Sequence, residues 1–190
     1  MNAAMPLPSA QALVPFVSVA EMMAIVHRVG LETALMELAD QIEADFLRWQ
    51  IFDKTPRVAS HSAIGVIELM PTSDGERYAF KYVNGHPANT KAGLQTVTAF
   101  GVLAGVETGY PLLFAEMTML TALRTAASSA MVARHLAPKG SRVLALIGNG
   151  AQSEFQALAM KAVVGIDTVR LFDVDPAATQ KCARNLAGTG

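Results

Sequence analysis

Val143-Leu144-Ala145-Leu146-Ile147-Gly148-Asn149-Gly150-Ala151-Gln152-Ser153 is the stretch whose reading decides the fold of this chain. The apolar run Val143–Ile147 has the composition of a parallel strand buried on both faces. Gly148 permits a tight turn out of the strand, and Gly150 lets the backbone approach a pyrophosphate. The helix that follows, ending near Gly165, aims free N–H groups and the positive end of its dipole at that anion. Ser153 stands where the G-x-G-x-x-G fingerprint has its third glycine, a departure that bears on packing more than on phosphate contact. A second apolar strand, Thr168–Phe172, leads to Asp173, about 20 residues beyond the turn. A carboxylate there accepts hydrogen bonds from ribose hydroxyls and repels a 2′-phosphate, so the expected cofactor is NAD rather than NADP. Asp175 reads as the cap of a third segment, with Pro176 in its first turn and a stop near Gly188. Strand–helix–strand–helix is the opening of a doubly wound α/β domain.

Upstream the pattern differs. Residues 1–17 read as a loose lead-in. Ser18-Val19-Ala20-Glu21 is a capping-box pattern that starts a short helix, stopped by Gly30. In a second helix Leu35, Leu38, Ile42, Phe46 and Trp49 recur on one apolar face, leaving Glu37, Asp40, Glu43 and Asp45 as a solvated face. The period then becomes two. Ile64–Met70 and Arg77–Val83 read as strands joined by Thr72-Ser73-Asp74-Gly75. Thr96–Leu103 and Leu112–Glu116 read as another strand pair, and an Ala-rich helix runs from about Thr118 to Leu136. The fold class is therefore α/β: an α+β domain over 1–130, then the first βαβα part of a Rossmann domain over 131–190. Such a sheet normally has about six strands. With two legible, the domain is expected to be cut short.

The 190 residues are 52% apolar and 16% charged, with a net charge of -1. This excludes a disordered chain and a nucleic-acid binder that relies on bulk positive charge. A single cysteine, Cys182, excludes a disulfide framework and reads as a small packing residue. His27, His61, His86 and His135 show no metal-ligand spacing, so no metal is expected. Without a signal-peptide pattern or a spanning apolar run, the expectation is a cytoplasmic protein with no membrane partner.

Four polar residues stand out in the first domain. Arg57 opens a strand-like stretch, and Glu68 falls opposite Lys81 if the hairpin turns at Asp74-Gly75. Arg124 lies in the apolar run Thr121–Ala127, where a lone charge needs a partner. Cations converging beside a dinucleotide suit the carboxylate of an amino or hydroxy acid.

Five motifs, in order, carry a resemblance that covers the chain from about residue 18. They are Arg57-Val58-Ala59-Ser60-His61-Ser62, Gly65-Val66-Ile67-Glu68-Leu69-Met70, Lys81-Tyr82-Val83-Asn84-Gly85-His86-Pro87, Ala122-Leu123-Arg124-Thr125-Ala126-Ala127 and Ile147–Phe155. Together they resemble the ornithine cyclodeaminase/mu-crystallin family. The resemblance implies an NAD-dependent ammonia-lyase that turns L-ornithine into L-proline and ammonia, serving ornithine catabolism and proline formation. It implies transient transfer of the α-hydrogen as hydride, imine formation, cyclisation and hydride return. It places Arg57, Lys81 and Arg124 around the substrate carboxylate and Glu68, as a catalytic group, near the amines. It puts Thr96, Arg124, Gly148, Gly150, Ala151, Gln152 and Asp173 on the cofactor, and it implies a homodimer for the full-length protein. The family's main catalytic aspartate has no counterpart in these residues, so the chain alone is expected not to turn over. Ketimine reductases and amino-acid dehydrogenases share the scaffold, and a non-catalytic fragment is the remaining alternative.

Overall fold

A computed structural model describes residues 13–189. They form two compact units. One joins the segment ending at Ser18 to Phe52–Met117, and the other joins Val19–Ile51 to the chain from Thr118 onward.

The first unit is a six-stranded sheet. Its strands are β1 (Phe16–Val17), β2 (Val58–Ser62), β3 (Gly65–Ser73), β4 (Arg77–Gly85), β5 (Ala99–Gly105) and β6 (Pro111–Glu116). Their order is β1-β6-β5-β4-β3-β2, and every pairing is antiparallel except β1 with β6. The expected lead-in is thus partly structured. Pro15 O accepts from Phe114 N (2.9 Å), and Phe16–Val17 adds a short strand to the outer edge of β6. The rest of that lead-in, 1–12, lies outside the described residues.

The β3–β4 register differs from the expected one by two residues. Asp74 Oδ1 accepts from the N–H groups of Glu76 (3.1 Å) and Arg77 (2.8 Å), and Gly75 takes φ +89°. This Asx turn centres the loop one position later than Asp74-Gly75. Glu68 therefore faces Val83, and Lys81 faces Met70. A shift of two leaves every side chain on its original face. The pairing of β5 starts at Ala99 rather than Thr96. There the Asn84 side chain takes over, with Oδ1 accepting from Thr98 N (2.6 Å) and Thr98 Oγ1 (2.7 Å). A side-chain acceptor that captures backbone N–H ends regular pairing.

The second unit holds α1 (Val19–Val29), α2 (Leu31–Leu47), α3 (Thr118–Leu136), β7 (Val143–Ile147), α4 (Ser153–Val164), β8 (Thr168–Phe172) and α5 (Pro176–Leu186). Leu35, Leu123, Ala126, Ala130 and Ala159 form one buried cluster that joins α2, α3 and α4. The alanines of α3 and α4 keep the helix surfaces low, so the backbones approach closely around the two leucines. The expected domain boundary at 130/131 falls inside α3, and this shared core keeps that helix whole within one unit. Cys182 is fully buried on α5, as a packing residue should be.

Three expectations for this unit change. Phe46 and Trp49 do not join the core. They are exposed and stack on each other, with ring centroids 5.5 Å apart, because α2 ends at Leu47 and Trp49 lies in a following 3-10 turn. Asp40 and Glu43 are not merely solvated. Arg134 Nη1 donates to Asp40 (2.7 Å), Arg134 Nη2 to Glu43, and His135 Nε2 lies 2.8 Å from Glu43. Finally, β7 is not buried on both faces. Among the described residues its one neighbour is β8, in parallel, so Ile147 is 83% exposed and Leu146 is the only buried residue of the strand. No described helix is long and apolar enough to cross a membrane.

Gly101 of β5 sits directly opposite Lys81, and a Cβ there meets Phe80 O at 2.6 Å and Met117 Sδ at 2.5 Å. Backbone cannot give way as a side-chain tip can, so Gly101→Ala should cost about 1–3 kcal/mol. Urea unfolding checks this; an unchanged midpoint would show that the sheet accommodates a methyl group beside Lys81.

Candidate functional site

Strand parity assembles the candidate site of the sheet unit. Directly paired residues share a face of the sheet. Glu68 pairs with Ala59 on β2 and with Val83 on β4, while Lys81 pairs with Met70 and with Gly101. Glu68 and Lys81 are thus diagonal neighbours on one face. Arg57, two residues before Ala59, joins them: its Nη1 lies 3.5 Å from Glu68 Oε1. The expected cross-strand partner of Glu68 was Lys81; the shifted register gives it Arg57 instead. Arg57 is well exposed, so this pair adds little stability. Its value is chemical. Two cations and one carboxylate on a single face match the carboxylate and ammonium of an amino acid. The small residues Ala59, Ala99 and Gly101 keep the surface around them low. Thr96 lies in a bend before β5, its carbonyl held by His86 N (2.9 Å).

The second unit carries its own candidate site, the turn after β7. Gly148 takes φ +90°, a conformation that strains any residue with a Cβ. Its N–H reaches Phe172 O (2.8 Å), carrying the β7–β8 ladder one step beyond the strand. The next N–H, of Asn149, donates to Asp173 Oδ2 (2.6 Å), and Asp175 N donates to Asp173 Oδ1 (2.8 Å). A Cβ at Gly148 or Gly150 meets nothing within 4 Å, so the space over the turn is open to a ligand. Ser153 fits the third fingerprint position. It is 3% exposed, its N–H donates to Gly150 O (3.2 Å) and its Oγ lies 2.6 Å from the same oxygen. Gln152 Oε1 is buried and has no protein partner, an acceptor left for a donor from outside the chain. A dinucleotide brings such donors on its riboses and a pyrophosphate for the helix end, so these residues fit that group.

Arg124 belongs to the same unit as the turn. It lies on the exposed side of α3, opposite the buried Leu123, Ala126 and Ala127. The apolar residues of the run thus fill another face of the helix. Sequence reasoning passed over Asn149 and Thr179. Thr179 Oγ1 donates to Asn149 Oδ1 (2.9 Å), but a contact across 30 residues leaves no periodic signal. Among the described residues no group of three or more His, Cys, Asp or Glu is placed to hold a metal.

The sequence model of the ornithine cyclodeaminase/mu-crystallin family matches residues 19–190. The chain belongs to that family. It is 71% identical over 178 residues to ornithine cyclodeaminase of Brucella suis biovar 1, an overlap that takes in 94% of this chain and 50% of the relative. It spans about half the length of the curated relatives it matches. Among solved structures it is similar to a lysine cyclodeaminase described for recognition of L-lysine, L-ornithine and L-2,4-diaminobutyric acid (TM-score 0.86, 29% identity, 93% of this chain, 54% of that one). It is also similar to an archaeal alanine dehydrogenase dimer with bound NAD (TM-score 0.80, 29% identity, the same coverage). The mixed α/β fold is that of the family.

Asp173 should titrate below the ordinary carboxylate range, because the N–H of Asn149, then that of Asp175, favours its charged form. A folded-state pKa below the unfolded one stabilises the fold above about pH 4, and that contribution disappears as pH falls through the lowered value. Carboxyl-carbon NMR should place the Asp173 midpoint below that of an unperturbed aspartate. Asp173→Asn should flatten the acid side of the stability profile; an ordinary midpoint would mean that the two N–H contacts do not persist in solution.

Proposed function

We propose that this protein works in the NAD-dependent conversion of L-ornithine to L-proline and ammonia. The observation that carries the reading is the shared sheet face of Arg57, Glu68 and Lys81, in a chain 71% identical to an ornithine cyclodeaminase. Arg57, Lys81 and Arg124 grip the substrate's α-carboxylate through charge-assisted hydrogen bonds. Glu68 lies near the amino groups and holds a proton there. Thr96, Arg124, Gly148, Gly150, Ala151, Gln152 and Asp173 hold the cofactor, with the pyrophosphate at the N-terminus of α4. NAD bound there would supply a reversible hydride acceptor for the α-hydrogen, with no net oxidation over a turnover. The substrate imine must meet its own δ-amine before it meets water, so the reaction requires a site that excludes water. A reaction on a free amino acid and NAD fits the cytoplasm.

We also infer a homodimer. The opposite face of the sheet exposes Val58, Ile67, Leu69, Tyr78, Phe100 and Phe114, an apolar surface that a second copy can cover. The dimeric alanine dehydrogenase supports this reading and also supports the second one, an amino-acid dehydrogenase or ketimine reductase.

Full-length protein given L-ornithine and catalytic NAD should form proline with no net NADH; NADH formed in step with substrate loss would favour the dehydrogenase instead. In the same assay Arg124→Ala should raise KM by roughly 10- to 100-fold, the loss of one hydrogen bond to a charged group. An unchanged KM would remove Arg124 from the carboxylate site.

A further inference from the structure

The turn over which the cofactor is expected contains one fully buried polar side chain. Asn149 is 1% exposed, although Gly148 and Gly150 on either side are exposed. Its backbone N–H and both ends of its side-chain amide are committed. The backbone N–H donates to Asp173 Oδ2 (2.6 Å), Oδ1 accepts from Thr179 Oγ1 (2.9 Å) and Nδ2 donates to Leu146 O (3.4 Å). The contacts close into a ring. Asp173 Oδ1 accepts from Asp175 N, Asp175 Oδ1 accepts from Ala177 N (2.9 Å), and α5 then returns to Asn149 through Thr179. Holding Asn149 at its backbone N–H and at its side chain fixes the place of its Cα, the point from which the Asn149–Gly150 peptide starts. That peptide carries the Gly150 N–H, at a position where a Cβ would meet nothing within 4 Å.

Docking of α5 does not need the Thr179 hydroxyl. Cys182 is fully buried, and Glu154 of α4 holds Lys181 (3.0 Å) and Asn185 (2.8 Å) further along the helix. A hydroxyl not needed for docking, yet spent on a buried amide in the turn, serves the turn. We propose that Asn149 and Thr179 are positioning residues for dinucleotide binding, so that α5 sets the shape of the Gly148–Gly150 cradle. The inference rests on the NAD reading above.

The test titrates NADH by fluorescence into the wild type, Thr179→Val and Thr179→Ser, with thermal melts in parallel. Valine keeps the shape and leaves Asn149 Oδ1 buried without a donor; serine keeps the hydroxyl. Thr179→Val should weaken NADH binding roughly tenfold, with Thr179→Ser within about twofold of the wild type. A purely structural hydroxyl would lower the melting temperature of the valine variant and leave its NADH affinity intact, which overturns the proposal. Should the valine variant not fold, hydrogen exchange on the wild type decides. NADH should slow exchange in both 148–152 and 176–182, and protection confined to the turn overturns the coupling. No NADH binding by the wild type rejects the NAD reading, and this inference with it. NADH binding that is indifferent to position 179 rejects this inference alone.

Discussion

The Asp173 carboxylate is the point on which the second unit turns. Where the β7–β8 ladder ends, the backbone of β7 must leave the sheet and still have its N–H groups satisfied. Gly148 does so through Phe172 O, and Asn149 through Asp173. The same carboxylate receives Asp175 N and so begins α5. One side chain thereby fixes the exit from one strand and the exit from the next. Each of its oxygens has a second lone pair. Asp173 can therefore brace the turn and still accept ribose hydroxyls, two tasks that a neutral Asn could not combine.

The sheet unit obeys a different constraint, the period of two. The cations and Glu68 share a face because Arg57, Ala59, Glu68, Met70, Lys81 and Val83 have the same parity in one register. A slip of one residue on any strand would send its polar group to the apolar face. The glycine opposite Lys81 then acts by absence, leaving room for Met117 against the backbone of the sheet. The opposite face carries bulk instead, with Tyr82 and Phe100 stacked across the β4–β5 pair at 4.9 Å.

What could be read from the residues was what depends on neighbours in sequence. The glycine turn, the Asp175 cap and the α4 stop at Gly165, with φ +84°, are local chemistry and stand where expected. The β3–β4 register was missed by two because the Asp74 side chain, not the backbone alone, chose the turn. Phe16–Val17 is too short to show a period. The exposure of β7 depends on which strands flank it, a fact its own five apolar residues do not contain. Family motifs supplied Arg57, Lys81, Glu68, Thr96 and Arg124 as a set; spacing alone supplied only a suspicion of converging cations.

One residue is out of place for an anion site. Glu154 puts a carboxylate in the first turn of α4, where a bound pyrophosphate should repel it. Burial pushes its pKa up, but hydrogen bonds from Lys181 and Asn185 outweigh that and hold it low, so it is charged. The charge is directed into α5, with Lys181 Nζ 3.0 Å from Oε1. The ion pair therefore offsets locally the repulsion that a free carboxylate would impose on the phosphates. α5 thus meets the turn twice, through Lys181 for charge and through Thr179 for shape. A helix that sequence reasoning treats as the next repeat of the α/β pattern is, physically, tied both to the glycine turn and to the first turn of α4.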